Sequence, residues 1–267
     1  FVFPGQGAQY IGMAQDYLEN NAQLKTVLQD FDSSHSTSLE SVMSNGPEDE
    51  LKKTKLTQPA ILFHSIAALQ TTINRNIGLK ADFCAGHSLG EYSALVSAGV
   101  LTLADAMHLV HKRGEFMMSA GGDLPFAMSA IVGLAPKKVK DICVQASKVD
   151  IVVAANYNTP VQTVISGSKK GVKKAGEVAK EKGAKMVVPL VVGGAFHSPI
   201  VAKAGDMLAE ELRDIKFSSP KIPIVSNVDA KPTTEIDKIK NNLKIQVSSS
   251  VLWVDSIEYL LSQGVEI

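Results

Sequence analysis

The sequence predicts an α/β protein in which a parallel-sheet core is interrupted by a smaller unit with the order β-α-β-β-α-β. Three observations carry this prediction. First, Ala85-Gly86-His87-Ser88-Leu89-Gly90 follows an apolar run, Ala81-Asp82-Phe83-Cys84-Ala85, and precedes Leu89, Tyr92, Ser93 and Val96 at helical spacing. Strand, sharp turn and helix is the reading. Second, between residues 124 and 192 strand-like and helix-like segments alternate in a split order. Third, 267 residues suit one large α/β domain or a core with a subdomain, and allow a sizeable buried core.

In chain order, Phe1-Val2-Phe3 is a short buried-strand pattern that runs into the loop Pro4-Gly5-Gln6-Gly7-Ala8-Gln9. A dinucleotide fingerprint would need a third glycine where Tyr10 stands, so a phosphate cradle fits poorly. Residues 16–56 are polar and loosely helical, and the serine-rich stretch 33–44 is expected as loop or surface. A helix is expected from Leu56-Thr57-Gln58-Pro59, with Pro59 in its first turn and Ile61, Leu62, Ser65, Ile66 and Leu69 facing inward. His64 in that apolar stretch reads as structural. After the turn at Ser88, Thr102-Leu103-Ala104-Asp105 caps a helix that runs to Arg113. The rhythm then changes: 126–132 strand, 136–146 helix, 151–155 strand, 162–166 strand, 169–182 helix, 185–192 strand. This is the order of a ferredoxin-like unit. It is expected as an insert, residues 124–192, in a core made of residues 1–123 and 193–267, with the cleft between them as the default ligand site. Gly193-Gly194-Ala195-Phe196-His197-Ser198-Pro199 breaks the last of these strands. A helix to about Arg213, a strand at 224–228 and a helix at 254–263 follow, and 264–267 reads as the start of a further strand. A chain that opens in mid-strand and stops there reads as part of a longer one.

Bulk composition excludes several classes. Lysine plus arginine and aspartate plus glutamate are 27 each, so no net charge favours nucleic acid or an acidic membrane surface. No apolar stretch approaches membrane-spanning length. Cys84 and Cys143 are far apart, without a C-x-x-C pattern, and read as free thiols in a reducing compartment. No metal-ligand cluster or redox-cofactor motif is visible.

The chemistry centres on Ser88. In Gly86-x-Ser88-x-Gly90 the glycines let strand and helix pass closely while the serine is presented at the turn, and the helix N-terminus favours negative charge there. An oxyanion hole pairs the N–H after the nucleophile, that of Leu89, with one from another strand-end loop, for which Gln6 is the candidate. A serine nucleophile needs a base. Of six histidines, His197 stands where an apolar strand breaks and a helix begins, the place where catalytic side chains collect in open α/β folds. No acid stands in a suitable context between Ser88 and His197, which argues for a dyad. A dyad suffices when the leaving group is a thiolate and a backbone carbonyl holds the imidazole tautomer. Arginine is used only at positions 75, 113 and 213 in a lysine-rich chain, so Arg113 reads as chosen for its bidentate fork, with a substrate carboxylate as guest. A helix-end cation complementing the dipole is the alternative reading, and covers Arg75 and Arg213 as well.

These stretches, with Arg113-Gly114, Asn156-Tyr157-Asn158-Thr159-Pro160, Gly194 to Ser198 and Gln246 to Trp253, resemble in order and spacing the malonyl-CoA:acyl carrier protein transacylases, over essentially the whole chain. The resemblance implies a hydrolase-like core with a ferredoxin-like insert, and a cytoplasmic, bacterial enzyme of fatty acid synthesis, an organelle being the alternative. It implies Ser88 as the acylated nucleophile, His197 as base, Gln6 and Leu89 as oxyanion donors and Arg113 on the malonyl carboxylate. By the same resemblance the carbonyl of Gln246 orients His197, and Met117, Met128, Asn156, Asn158 and Phe196 line the pocket, Phe196 in the malonyl-selective form. The partners implied are malonyl-CoA, as substrate, and acyl carrier protein; no bound cofactor, metal, nucleic acid or membrane enters, and the protein is expected to be monomeric. The sequence departs from the pattern at Val161, where a glycine is usual, and does not include the family's C-terminal strand, Gly-Pro-Gly turn and closing helix. Lysine pairs at 137–138, 169–170 and 173–174 are candidates to meet an acidic carrier protein, or are solvated helix faces. An acyltransferase domain of a polyketide or fatty acid megasynthase, a serine thioesterase and a catalytically dead docking module remain as alternatives.

Overall fold

A computed structural model describes residues 1–19, 21–76 and 78–265, and the chain divides into two compact units. The first comprises residues 1–115, 211–225 and 232–236; the second comprises 116–210, 226–231 and 237 onward.

The first unit contains β1 (Val2–Phe3), α1 (Gln15–Leu18), α2 (Ala22–His35), α3 (Leu39–Asn45), α4 (Glu48–Leu51), α5 (Thr54–Arg75), β2 (Cys84–Gly86), α6 (Gly90–Ser97) and most of α7 (Leu103–Ser119). Val2 pairs with Ala85 and Phe3 with Gly86 in parallel, so the first and second strand ends, and the loops that leave them, lie side by side. Thr102 caps α7 by accepting the Asp105 N–H at 3.0 Å and donating to its carboxylate at 2.6 Å. Two sequence expectations are corrected here. Of the two readings of residues 33–44, surface holds for the serines but loop holds only for 36–38: α2 runs to His35, and α3 buries Leu39, Val42 and Met43 at helical spacing. The Asp32 carboxylate accepts the N–H groups of Leu39 and Glu40 at the start of α3, and solvated serines mask this periodicity in the sequence. Likewise α5 starts at Thr54, so Pro59 lies inside the helix and not in its first turn.

In the second unit, β3 (Phe126–Val132), α8 (Pro136–Ala146), β4 (Val152–Thr159), β5 (Gln162–Ser168), α9 (Lys169–Glu181) and β6 (Met186–Leu190) form the β-α-β-β-α-β run. Its sheet is antiparallel throughout, in the order β4-β5-β3-β6. Val139, Ile142 and Cys143 from α8 and Val172, Ala175 and Ala179 from α9 pack on Ile131, Val152, Ala154 and Ile165 from the sheet, which closes a core on one face. Val161 sits exposed in the β4–β5 turn, its N–H on Thr159 Oγ1 at 3.2 Å. A 3₁₀ turn (Pro199–Val201) leads into α10 (Ala202–Asp214).

β7 (Ile224–Val225) and β8 (Pro232–Thr233) complete the first unit's sheet in the order β1-β2-β7-β8, parallel except for β8. The second unit ends with α11 (Ile236–Gln246), whose first residue belongs to the first unit, and α12 (Trp253–Ser262). The strand expected over 264–267 falls partly outside the described residues, and no strand is present at 264–265. Among the described residues no helix is long and apolar enough to cross a membrane.

Candidate active site

In the first unit the strand-turn-helix at Ser88 is built by backbone crowding. Ser88 itself has φ 54°, in the left-handed region that costs a non-glycine residue about 1–3 kcal/mol. A side chain at 86 would overlap the carbonyl of Gly90, and a Cβ at 90 would lie 2.5 Å from the Phe3 carbonyl oxygen, so only glycine fits on either side. The loop after β1 lies against this turn: the His87 N–H donates to the Phe3 carbonyl at 3.0 Å. Gln6 lies in that loop, and Leu89 is the N-cap of α6, so its N–H belongs to the set that a helix cannot satisfy internally.

Arg113 reaches the same turn from α7. It is 1 % exposed, donates from Nη2 to Ser88 Oγ at 3.0 Å and from Nη1 to Gln58 Oε1 at 2.7 Å, and its guanidinium carbon lies 5.8 Å from the centre of the Tyr92 ring. Burial pulls its pKa down, while Tyr92 and Glu91 oppose that shift, and a guanidinium so placed stays charged. Gln58 is a buried partner that the sequence analysis did not single out; its only signal was a polar side chain directly before Pro59 in an apolar run.

In the second unit His197 also has positive φ, 57°, and is 4 % exposed. Its N–H donates to the Val247 carbonyl at 3.1 Å. Nδ1 faces two acceptors, the carbonyls of Gln246 at 2.9 Å and Ser249 at 3.2 Å, so Nδ1 carries a proton and a neutral ring presents Nε2 as an acceptor. Gln246 is held in turn by its side-chain amide, which donates to Asn227 Oδ1 at 3.4 Å, and Val251 bridges to Asn156 at the β4 edge. Asn227 and Ser249 were also missed: Asn227 stands in no motif, and within the stretch 246–253 only Gln246 was singled out. Met117, Met128, Asn156 and Phe196 are buried, and Asn158 donates to Gln162 Oε1 at 3.3 Å across the β4–β5 hairpin. Gly194 lies beside Phe196 and the Met117 carbonyl, at 2.6 and 3.1 Å from where a Cβ would be.

Elsewhere, burial pushes the Cys143 thiol up to about 12 and raises that of Cys84, so neither is a ready thiolate. Among the described residues no group of three or more His, Cys, Asp or Glu is placed to hold a metal ion.

A strained serine at a parallel strand-to-helix turn, with a buried guanidinium on its hydroxyl, defines an α/β protein equipped to handle acyl groups. Residues 1–260 match the acyl transferase domain family, and the chain belongs to it. It is 41% identical over 266 residues to the malonyl CoA-acyl carrier protein transacylase of Escherichia coli strain K12, covering 100% of this chain and 86% of that protein. Among solved structures it is similar to the malonyl CoA-acyl carrier protein transacylase of Coxiella burnetii, with TM-score 0.93 and 37% identity over 99% of this chain and 84% of that one. It is also similar to a malonyl-transacylase solved in complex with a type II PKS acyl-carrier protein, with TM-score 0.92 and 37% identity over 99% and 85% of the two chains.

Proposed function

We propose that the protein transfers the malonyl group from malonyl-CoA to the phosphopantetheine thiol of acyl carrier protein, supplying fatty acid synthesis. The observation that carries this reading is the contact between Arg113 and Ser88. A fully buried cation 3.0 Å from the nucleophile's oxygen suits an acyl group that brings its own carboxylate. The names of the relatives support the same substrate pair.

In this reading Ser88 Oγ attacks the thioester carbonyl and gives its proton to His197 Nε2. The bonds from His197 Nδ1 to Gln246 and Ser249 hold the tautomer whose Nε2 lone pair accepts it. The N–H groups of Gln6 and Leu89 receive the negative charge that develops on the carbonyl oxygen. The carbon–sulfur bond breaks, coenzyme A leaves as the thiol with the proton from His197, and a malonyl ester remains on Ser88. The carrier protein's thiol then attacks that ester with His197 again as base, and Ser88 is regenerated. Arg113 grips the malonyl carboxylate in both steps. Met117, Met128, Asn156, Asn158 and Phe196 shape the acyl pocket, and residues 124–192 are the insert that carries part of it. No bound cofactor takes part, coenzyme A entering and leaving as part of the substrate. The same reading makes the protein a monomer of the bacterial cytoplasm.

Intact-protein mass spectrometry after brief mixing with malonyl-CoA tests the proposal. A malonyl adduct should form on the wild type, be absent from Ser88→Ala, and be discharged by added carrier protein. Steady release of coenzyme A into water with no adduct would favour a thioesterase instead.

A further inference from the structure

Pro59 lies inside α5 and has no N–H, so the helical bond that residue 59 would donate to the Lys55 carbonyl cannot form. A different donor serves that oxygen. His111, on α7, places Nδ1 2.9 Å from it. A carbonyl only accepts, so Nδ1 carries the proton. The ring is 3 % exposed, with Phe31 edge-on at 5.6 Å and His35 at 4.8 Å between ring centres, and Glu115 Oε1 lies 3.4 Å from Nε2.

The two helices meet closely at this point. A Cβ at Gly114 would stand 2.8 Å from the Lys55 Cα, so the backbone of α7 rests on the first turn of α5. The residues next to these contacts are those of the candidate site. Gln58, directly before Pro59, accepts from Arg113 Nη1 at 2.7 Å, and Arg113, two residues after His111, places Nη2 3.0 Å from Ser88 Oγ. One turn of α5 is therefore tied to one turn of α7 twice, by Lys55 to His111 and by Gln58 to Arg113. The first tie joins a backbone atom to a rigid ring, so it fixes the distance between the helices. The second, made by two long side chains, follows from it.

We propose that His111 is a positioning residue for Arg113. By bonding the Lys55 carbonyl that Pro59 leaves without its i+4 donor, it sets the seat of α7 on α5. It thereby sets the place of the guanidinium beside Ser88 and the preference for an acyl group bearing a carboxylate. The inference rests on the reading of Arg113 as the carboxylate ligand. His111 acts through Lys55 and Gln58 and has no part in the bond-making steps.

The experiment compares His111→Leu, His111→Asn, the double variant Pro59→Ala/His111→Leu, and Arg113→Ala with the wild type. Two quantities are read: the thermal unfolding midpoint, and the ratio of kcat/KM for acyl-enzyme formation from malonyl-CoA to that from acetyl-CoA. A displacement near 1 Å of a substrate-positioning group costs up to about 100-fold, so His111→Leu should lower the ratio by about 10- to 100-fold, mainly through KM for malonyl-CoA. His111→Asn keeps an N–H near the Nδ1 position and should recover most of the ratio. In the double variant the backbone N–H regained at position 59 takes the Lys55 carbonyl, so the midpoint should return while the ratio stays low. Recovery of the ratio together with the midpoint would overturn the proposal, since His111 would then serve stability alone. A wild-type ratio in the double variant or in folded His111→Leu, beside a lost ratio in Arg113→Ala, would overturn it while leaving Arg113 as the carboxylate ligand. A wild-type ratio in Arg113→Ala would remove that reading and the inference with it.

Discussion

Ser88 and His197 both occupy the left-handed backbone region without being glycine, at φ 54° and 57°, yet the chain holds them there by different means. At Ser88 the constraint is steric and local: glycines two residues either side let strand, helix and the loop after β1 crowd together, and any side chain there collides with backbone. At His197 the constraint is hydrogen bonding over distance. Its N–H and ring are fixed by the carbonyls of residues 246, 247 and 249, about fifty positions along the chain, which are themselves tied to Asn227 and to the β4 edge. A turn held by exclusion tolerates no added atoms. A residue held by backbone carbonyls tolerates changes of the side chains that carry them.

The sharpest way to break this comparison is Gly86→Ala. Its methyl would overlap the Gly90 carbonyl, and the variant should lose more than about 4 kcal/mol of stability, measured by denaturant unfolding, or fail to accumulate as folded protein. A stable, active Gly86→Ala would refute the steric account. Gln246→Ala sharpens the other side. It removes the amide that donates to Asn227 but keeps the carbonyl that accepts from His197, so it should cost about 1–3 kcal/mol of stability while malonyl transfer falls less than about tenfold. A loss of transfer as large as that of His197→Ala would show that the side chain, not the carbonyl, holds the base.

The smallest effect concerns pH. His64 lies between the rings of Tyr10 and Tyr17, with centroids at 5.8 and 5.4 Å, and burial lowers its pKa. The unfolded chain therefore takes up a proton there, near pH 6.5, before the folded protein does. This histidine's contribution is complete above that pH and declines as the pH falls through the folded value. His64→Phe keeps the ring contacts and should flatten the acid side of the stability curve. An unchanged slope would mean that the acid loss lies elsewhere.

Much of the fold was legible because its signals are local. The alternation of strands and helices over residues 126–190 gave the β-α-β-β-α-β order, although the lateral order β4-β5-β3-β6 depends on pairings no single segment encodes. Where solvated residues diluted the pattern, as at Leu39, Val42 and Met43 among serines, a helix read as loop or surface. Pro59 read as a helix start because prolines favour first turns, and only the structure shows that the bond it forfeits is replaced from α7. The candidate site divides the same way. Gly86-x-Ser88-x-Gly90 is written in five consecutive residues, whereas Gln58, Asn227 and Ser249 matter only through partners 19 to 55 positions away. Arg113 stood out by composition, but its burial against Ser88 did not.

The most direct test is a competition. The wild type and Arg113→Ala are mixed with equimolar malonyl-CoA and acetyl-CoA, and the acyl group on Ser88 is read by mass. Losing the partner of a buried charged group costs about 3–5 kcal/mol, so the wild type should carry malonyl almost exclusively and Arg113→Ala should lose that preference by about 100-fold or more. An unchanged malonyl preference in Arg113→Ala would contradict the assignment of the buried guanidinium as the group that recognises the acyl carboxylate.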